Sequence, residues 1–407
     1  MSLKSRAIVI VFWMLAFATV PVWIAHDHVG WDVAVYQNAI RSLEAGHDPY
    51  ADAIALQEVF HRSFALHPKS VTPFSYVYSP ITIVLLRLIG AMPIWVAGIV
   101  YWLTYAFSAL CLVRIGLQAA EENERRWLHF LAPAALFFPG ALHHDALLSG
   151  NVALVLYALV LFGATVGWRR GQWHWCYLAV LFASCFKAPL LSLGVIPVLS
   201  ARRQWLPAGI TAALGGLLFA IQSRIWPSLF RRYLEAVELQ FSYNRDFGCS
   251  PAGLLSNLLF SHGVSYAAAW TLFYLLYALP TFGLLLYLSR QFLNARLSIE
   301  QWLPVLLVGV ILLDPRIMQY DVVPVTLPMA LIGWRFLAHF NPPARAILLL
   351  ALIFAIANYT AAQDPGTWKL VECILLVALF ATGCWILLRQ SIRQSAVNHT
   401  HPLDRTG

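Results

Sequence analysis

Apolar residues run along this chain in blocks, with short polar stretches between them. The blocks lie at 7–25, 94–113, 127–142, 150–167, 175–187, 188–200, 206–226, 265–288, 301–313, 320–338, 345–361 and 369–389. A helix needs about twenty apolar residues to cross a bilayer. The pattern predicts an all-α polytopic membrane protein of about 12 transmembrane helices, forming one domain over residues 1–393. Polar stretches interrupt it at 26–75, 227–264 and 314–320. The first belongs to an external loop, 26–93, expected to carry short juxtamembrane helices; 227–264 is the second external loop. Residues 394–407 are polar and are expected to form a disordered cytoplasmic tail.

Composition explains why the blocks need lipid. Of 407 residues, 60% are hydrophobic and 11% charged, against about 25% charged in soluble domains. The net charge is +8, a value that in a soluble protein would suggest nucleic acid. Here the basic residues sit in clusters between the blocks: Arg125-Arg126, Arg169-Arg170, Arg202-Arg203, Arg290 and Arg296, Arg345, Arg389 and Arg393. That is the positive-inside pattern of membrane proteins, and it argues against a nucleic-acid partner. The six cysteines have no CxxC spacing and read as small hydrophobes, not as a disulfide framework or a metal site. Block 7–25 is long for a secretory signal and runs into His26-Asp27-His28 instead of a small-residue cleavage site. It reads as a first membrane helix, with Lys4 and Arg6 holding the N-terminus in the cytoplasm.

Parity tests the topology. If every basic cluster faces the cytoplasm, both termini do too, and 26–75, 143–149, 227–264, 314–320 and 362–368 face the other side. This requires that 76–92 does not fully cross, and that 175–200 crosses out and back as two short helices broken near Lys187-Ala188-Pro189. Segment 76–92 begins Tyr78-Ser79-Pro80, carries Arg87 and stops at Pro93, as a re-entrant or interfacial helix would. A lysine inside an apolar segment is costly in lipid and should face a wet cavity. The external side then collects most of the polar residues, including Asp27, Asp32, Asp48, Arg62, His67, Lys69, His143, His144, Asp145, Asn151, Lys187, Arg245, Asp314, Arg316 and Asp321.

Several of these have a plain structural reading beside a chemical one. Asp32 starts an amphipathic stretch and is a candidate N-cap; a surface carboxylate is also a candidate general base toward a hydroxyl. Lys187 and Arg316 are cations able to reach an external cavity, with Arg245, Arg62 and Lys69 as weaker ones. Lys187 has the alternative of snorkelling, and Arg316 that of pairing with Asp314 or Asp321. His143-His144-Asp145 invites a metal, but adjacent histidines on a helix point about 100° apart and no third ligand stands at a useful spacing, so no metal is expected. Arg231 and Arg232 read as interfacial headgroup contacts, and most tryptophans near helix ends as an aromatic belt.

Read in order, these segments resemble glycosyltransferase family 87, polyprenyl-phosphate-sugar-dependent membrane enzymes of the C superfamily. The features are Asp32-Val33-Ala34-Val35-Tyr36 after the first helix, Gly46-His47-Asp48-Pro49-Tyr50, then Tyr78-Ser79-Pro80 entering a helix. Gly150-Asn151 stands for the family's Gly-Gln, Lys187-Ala188-Pro189 for its Lys-x-Pro, and Asp314-Pro315 with Tyr320 for its late Ser-Pro and His-Tyr. The usual Asp-Phe and Tyr-Pro-Pro are altered here. The resemblance covers about residues 27–338.

The resemblance implies an inverting transfer of a sugar, mannose- or arabinose-like, from a polyprenyl-phosphate carrier to a lipid-linked or glycan acceptor. The setting it implies is the periplasmic face of a bacterial inner membrane. Asp32 is the implied base, with Asp27 as runner-up. Lys187, Arg316 and Arg245 are expected at the donor phosphate. Tyr36, Asp48, Tyr78, His143, His144, Asn151, Asp314 and Tyr320 are expected to line the substrate cavity. No cofactor is expected beyond the donor itself. The chemistry is coherent: a phosphate leaves without a protonating acid, so a base and cations suffice. Two rival readings are a lipid or glycan transporter, which would want inverted repeats and polar residues through both leaflets, and a glycan polymerase or ligase.

Overall fold

The computed structural model describes residues 7, 10, 11, 14, 30–66, 76–137, 149–243, 247–260, 266–345, 347–348 and 365–400. These are overwhelmingly helical and contain no strand. The chain begins its described course with α1 (Trp31–Glu44), α2 (Ala51–Leu66), and the short α3 (Pro80–Leu85) and α4 (Arg87–Gly90). It continues through α5 (Ile94–Gln118), α6 (Glu122–Phe137), α7 (Ala153–Arg170) and α8 (His174–Phe186), then a 3-10 turn, Ala188–Gly194, leading into α9 (Val195–Ser200). Next come α10 (Trp205–Ile225), α11 (Pro227–Glu238), α12 (Pro251–Phe260), α13 (Tyr266–Leu293) and α14 (Ile299–Leu312). Last are the single-turn α15 (Gln319–Val322), α16 (Thr326–Leu337) and α17 (Pro365–Thr400).

Five helices among the described residues are long and apolar enough to cross a membrane: Ile94–Gln118, Ala153–Arg170, Trp205–Ile225, Trp270–Leu293 and Lys369–Gln390. Shorter apolar helices span His174–Phe186, Ala188–Ser200 and Ile299–Leu312. The protein is therefore a helical membrane protein. α10 shows what faces lipid: Leu206, Leu217, Ile221 and Ile225 are all exposed. α14 shows the opposite, with every residue from Trp302 to Leu312 buried. A helix that is apolar all round and buried all round belongs in the middle of a bundle.

Some expected boundaries move. The helix expected over 127–142 begins at Glu122, because Glu124 folds back onto the Glu121 N–H (2.8 Å) and supplies the cap that a hydropathy pattern does not show. The expected tail boundary at Arg393 is passed by α17, which continues to Thr400. Segment 76–92 is not one helix: it is extended over 76–79 and then forms α3 and α4. The expected break in 175–200 is present at Lys187, which is extended at φ −136°, ψ 103°.

Pro189 accounts for that break. A proline lacks the N–H that would bond four residues back and clashes with that carbonyl. The carbonyl it releases is that of Cys185, and two hydroxyls take it: Thr82 (3.0 Å) and Ser79 (3.3 Å). The Ile81 N–H, unbonded at the start of α3, donates to Gln222 of α10 (2.9 Å). The break in one segment thus docks the 76–82 segment against it.

Helix direction sorts the polar groups to two ends. α7 starts two residues after Asn151 and ends at Arg169-Arg170, about 27 Å away for 18 residues. α8 packs against α7 and returns over 13 residues, bringing Lys187 back to the Asn151 end. α5 also starts at that end, where Gln37 of α1 donates to the Ile89 and Met92 carbonyls, both at 2.8 Å. At the far end of α5, Arg335 donates to the Ala119 carbonyl (3.0 Å), to the Glu300 carbonyl (2.8 Å), and to both Glu124 oxygens (2.9 and 2.7 Å). Asp314 follows the other end of α14 from Glu300.

Candidate active site

Gly30 and Gly150 bring the first site together. Both have left-handed backbones, at φ 77° and 75°. A Cβ on Gly150 would stand 2.5 Å from the Val33 side chain, so only glycine permits this approach. The contact lets the Asp32 N–H donate to the Ser149 carbonyl (2.8 Å). Asp32 is not the N-cap of α1, as the sequence suggests; Gly30 holds that place and Asp32 lies in the first turn. Its carboxylate is thereby released from capping and turns to Asn151.

The orientation of the Asn151 carboxamide follows from its partners. Its Oδ1 accepts the Ala153 N–H (2.9 Å), so its Nδ2 carries the two hydrogens on the other side. Nδ2 donates to Asp32 Oδ2 (2.8 Å) and to the Tyr78 hydroxyl (3.0 Å). The Tyr36 hydroxyl also donates to Tyr78 (3.1 Å), with the rings edge to face at 5.2 Å. Three expected cavity residues, Tyr36, Tyr78 and Asn151, thus surround the expected base. Tyr50 fixes the Tyr78 backbone by donating to its carbonyl (2.8 Å), and the Tyr76 ring packs, tilted, against both rings at 5.5 and 5.6 Å.

The second cluster is built by the link after α14. Gly248 (φ 59°) pairs with Ile317 so closely that a Cβ there would meet the Ile317 oxygen at 2.0 Å, and the Cys249 N–H donates to the same oxygen (2.7 Å). Within the link, Asp314 Oδ1 accepts the Arg316 N–H (2.9 Å) and Asp321 Oδ2 the Met318 N–H (2.8 Å). The other oxygen of Asp321 lies 4.0 Å from Lys187 Nζ, with Asp321 buried and Lys187 half-buried. Lys187 Nζ also sits 4.0 Å over the Tyr320 ring, while Arg316 donates to the Tyr320 hydroxyl (3.4 Å). Lys187 therefore points inward and does not snorkel. The guanidinium of Arg316 reaches the Tyr320 hydroxyl and lies over Phe241, and Asp321 pairs with Lys187.

The two clusters meet at Tyr78, whose hydroxyl lies within electrostatic reach of both Asp32 and Lys187. Burial, followed by the charge of Asp321, pushes the Asp314 carboxyl up to about 7. Burial likewise pushes the Tyr78 phenol above its ordinary value, so it stays protonated at neutral pH.

Asp48, expected to line the cavity, accepts the Tyr50 N–H (2.9 Å) at the start of α2 and pairs with Arg232 of α11 (2.6 Å). Arg232, expected at headgroups, is held there and by Glu235. Arg62 is exposed. Asp27, His143, His144 and Arg245 lie outside the described residues, as do His67, Lys69 and Asp145. Asp321 is the residue whose role the sequence did not reveal. Its position seven after Asp314 carried no motif, and its link to Lys187 depends on the fold. A cavity of about 220 Å³ lies beside the Lys187 break, walled by Ile81, Ala188, Leu191, Leu218 and Phe219.

A helical membrane protein with one half-buried carboxylate network beside one half-buried cation cluster is the class that fold and site define. Comparison with protein-family models, curated proteins and solved structures finds no match to this chain.

Proposed function

We propose that this chain is a membrane glycosyltransferase that moves a sugar from a polyprenyl-phosphate donor to a lipid-linked or glycan acceptor. The observation that carries the reading is the pairing of chemistries at Tyr78: a carboxylate held by an asparagine on one side, and Lys187 with Arg316 on the other. Asp32 accepts the proton of the acceptor hydroxyl as that oxygen attacks the anomeric carbon from the face opposite the phosphate. The bond from that carbon to the phosphate oxygen breaks, its electron pair stays with the phosphate, and the anomeric configuration inverts. Lys187 and Arg316 hold the leaving phosphate, which needs no proton. The apolar cavity beside the Lys187 break suits the first isoprene units of the carrier.

The same reading sets the site on the external face of a bacterial inner membrane, with the basic clusters and both termini in the cytoplasm. The gathering of site groups at one end of α7, α8 and α14 supports an enzyme over a conduit, which would need polar groups along the whole path. The test is transfer of labelled sugar by purified protein from a panel of decaprenyl-phosphate hexoses and pentoses to a membrane lipid extract. One donor is expected to yield an inverted glycoside. Absence of transfer from every donor, with the protein folded, would overturn the reading.

A further inference from the structure

Tyr78 shows an imbalance in its hydrogen bonds. Its oxygen accepts from Asn151 Nδ2 (3.0 Å) and from the Tyr36 hydroxyl (3.1 Å). The first of these is fixed in direction, because the other end of the Asn151 amide is committed to a backbone donor at Ala153. The second runs in the same sense, from the Tyr36 hydroxyl to Tyr78, while the Tyr36 oxygen accepts the Val152 N–H (3.5 Å). A phenol has two acceptor sites and one hydrogen. Both acceptor sites of Tyr78 are filled, and its hydrogen has no acceptor among the described residues.

We propose that Tyr78 is a further catalytic residue of this transfer, donating its hydroxyl hydrogen to the phosphate oxygen that leaves the sugar. The inference rests on the glycosyltransferase reading. It assigns the two sides of the reaction to different groups. An acceptor hydroxyl approaching Asp32 brings a hydrogen and needs an acceptor, which the carboxylate supplies. A departing phosphate brings lone pairs and growing negative charge and needs donors. Tyr78 is tied to Asp32 through the Asn151 amide and feels the charge of Lys187, so an anion held by Lys187 is the acceptor offered to its hydrogen. Asn151 spends both Nδ2 hydrogens inside the protein, and these tie the base and the donor to one rigid amide. In the step itself the acceptor oxygen bonds to the anomeric carbon, the bond from that carbon to the phosphate oxygen breaks, and Asp32 takes the acceptor proton. The Tyr78 hydrogen stays on its own oxygen and only shares in a hydrogen bond that tightens as the phosphate gains charge.

Neighbouring Tyr76 is the control. Its hydroxyl is buried and has no partner among the described residues, yet its ring packs against Tyr78 at 5.6 Å. Loss of that hydroxyl tests packing without touching the proposed donor. The experiment compares kcat and KM for Tyr78→Phe, Tyr76→Phe and the unchanged protein, using whichever decaprenyl-phosphate sugar the unchanged protein turns over. Loss of one preorganised donor to a developing anion costs about 10²–10³-fold in rate. Tyr78→Phe is expected to lose kcat on that scale while KM for the donor stays within a few fold, and Tyr76→Phe to keep both. Full kcat in Tyr78→Phe would overturn the proposal and leave the transfer reading intact. Equal losses in the two variants would reduce Tyr78 to a packing residue and overturn it as well. Failure of the unchanged protein to transfer from any donor would overturn both.

Discussion

Asp314 and Asp321 illustrate how two identical side chains in one link acquire different work. Both cap backbone N–H groups, but only Asp321 adds a cation, Lys187. Asp314 is left buried beside that second carboxylate, and its own pKa rises to about 7. Its ionised form adds one negative charge beside Lys187 and Arg316. A phosphodiester donor does not titrate near neutrality, so its affinity is expected to weaken as pH rises through about 7. Asp314→Asn keeps the cap, removes the titration and is expected to flatten the profile, as read by donor KM between pH 6 and 8. The linkage has the matching sign. A carboxyl whose folded pKa is raised binds more protons folded than unfolded, so ionising it lowers stability between about pH 4 and 7. Thermal melts of Asp314→Asn should lose that decline. Asp32, Asn151, Lys187 and Arg316 are legible in the sequence as polar groups gathered on one side by the parity argument; Tyr36, Tyr78 and Tyr320 are expected there from the family resemblance alone. Asp48 is expected there too, and the fold pairs it with Arg232, since sidedness does not say which neighbour the fold supplies.

At the scale of elements, glycines and prolines carry the geometry. Gly46 and Gly150 share the same left-handed backbone, but a Cβ would meet nothing within 4 Å at Gly46 and Val33 at 2.5 Å at Gly150. Alanine at Gly46 is expected to cost only the backbone strain, about 1–2 kcal/mol. Alanine at Gly150 adds a clash that pushes Asn151 away from Asp32, so it should melt lower than the Gly46 variant and lose transfer. The buried pair Glu124–Arg335 ties α6 to α16 and reaches the start of α14. Removing one partner of such a pair strands a charge, so Glu124→Ala is expected to destabilise by about 3–5 kcal/mol, measured by thermal unfolding in detergent. Hydropathy locates most of these helices because lipid and core both select apolar residues. It misplaces the start of α6, where a glutamate cap sets the limit. It does foresee the break before Pro189, since proline acts through local sterics. The docking of Ser79 and Thr82 onto the released Cys185 carbonyl is a tertiary event and leaves no local trace.

For the whole molecule, the sorting of groups to two ends is the feature that joins fold to chemistry. α7 runs from Ala153, just after Asn151, to Arg170, so the site and a basic cluster are separated by its length. Ala45, exposed after α1, and Gln172, exposed in the turn after α7, should therefore lie on opposite sides of the membrane. In intact cells an impermeant maleimide is expected to label Ala45→Cys and spare Gln172→Cys; the reverse would invert the orientation. The periodic blocks made the membrane class legible. Only the resemblance joins residues 32, 78, 151 and 187 in the sequence, and nothing there joins 321 to them, because they come from five separate segments that no local pattern connects. The most direct measurement of the central claim is sugar transfer by Asp32→Asn against the unchanged protein, with donor binding measured in parallel. A lost general base costs about 10²–10⁴-fold in rate, and a loss on that scale with donor binding retained is the expected result. Full transfer by Asp32→Asn would contradict the claim that this carboxylate is the base.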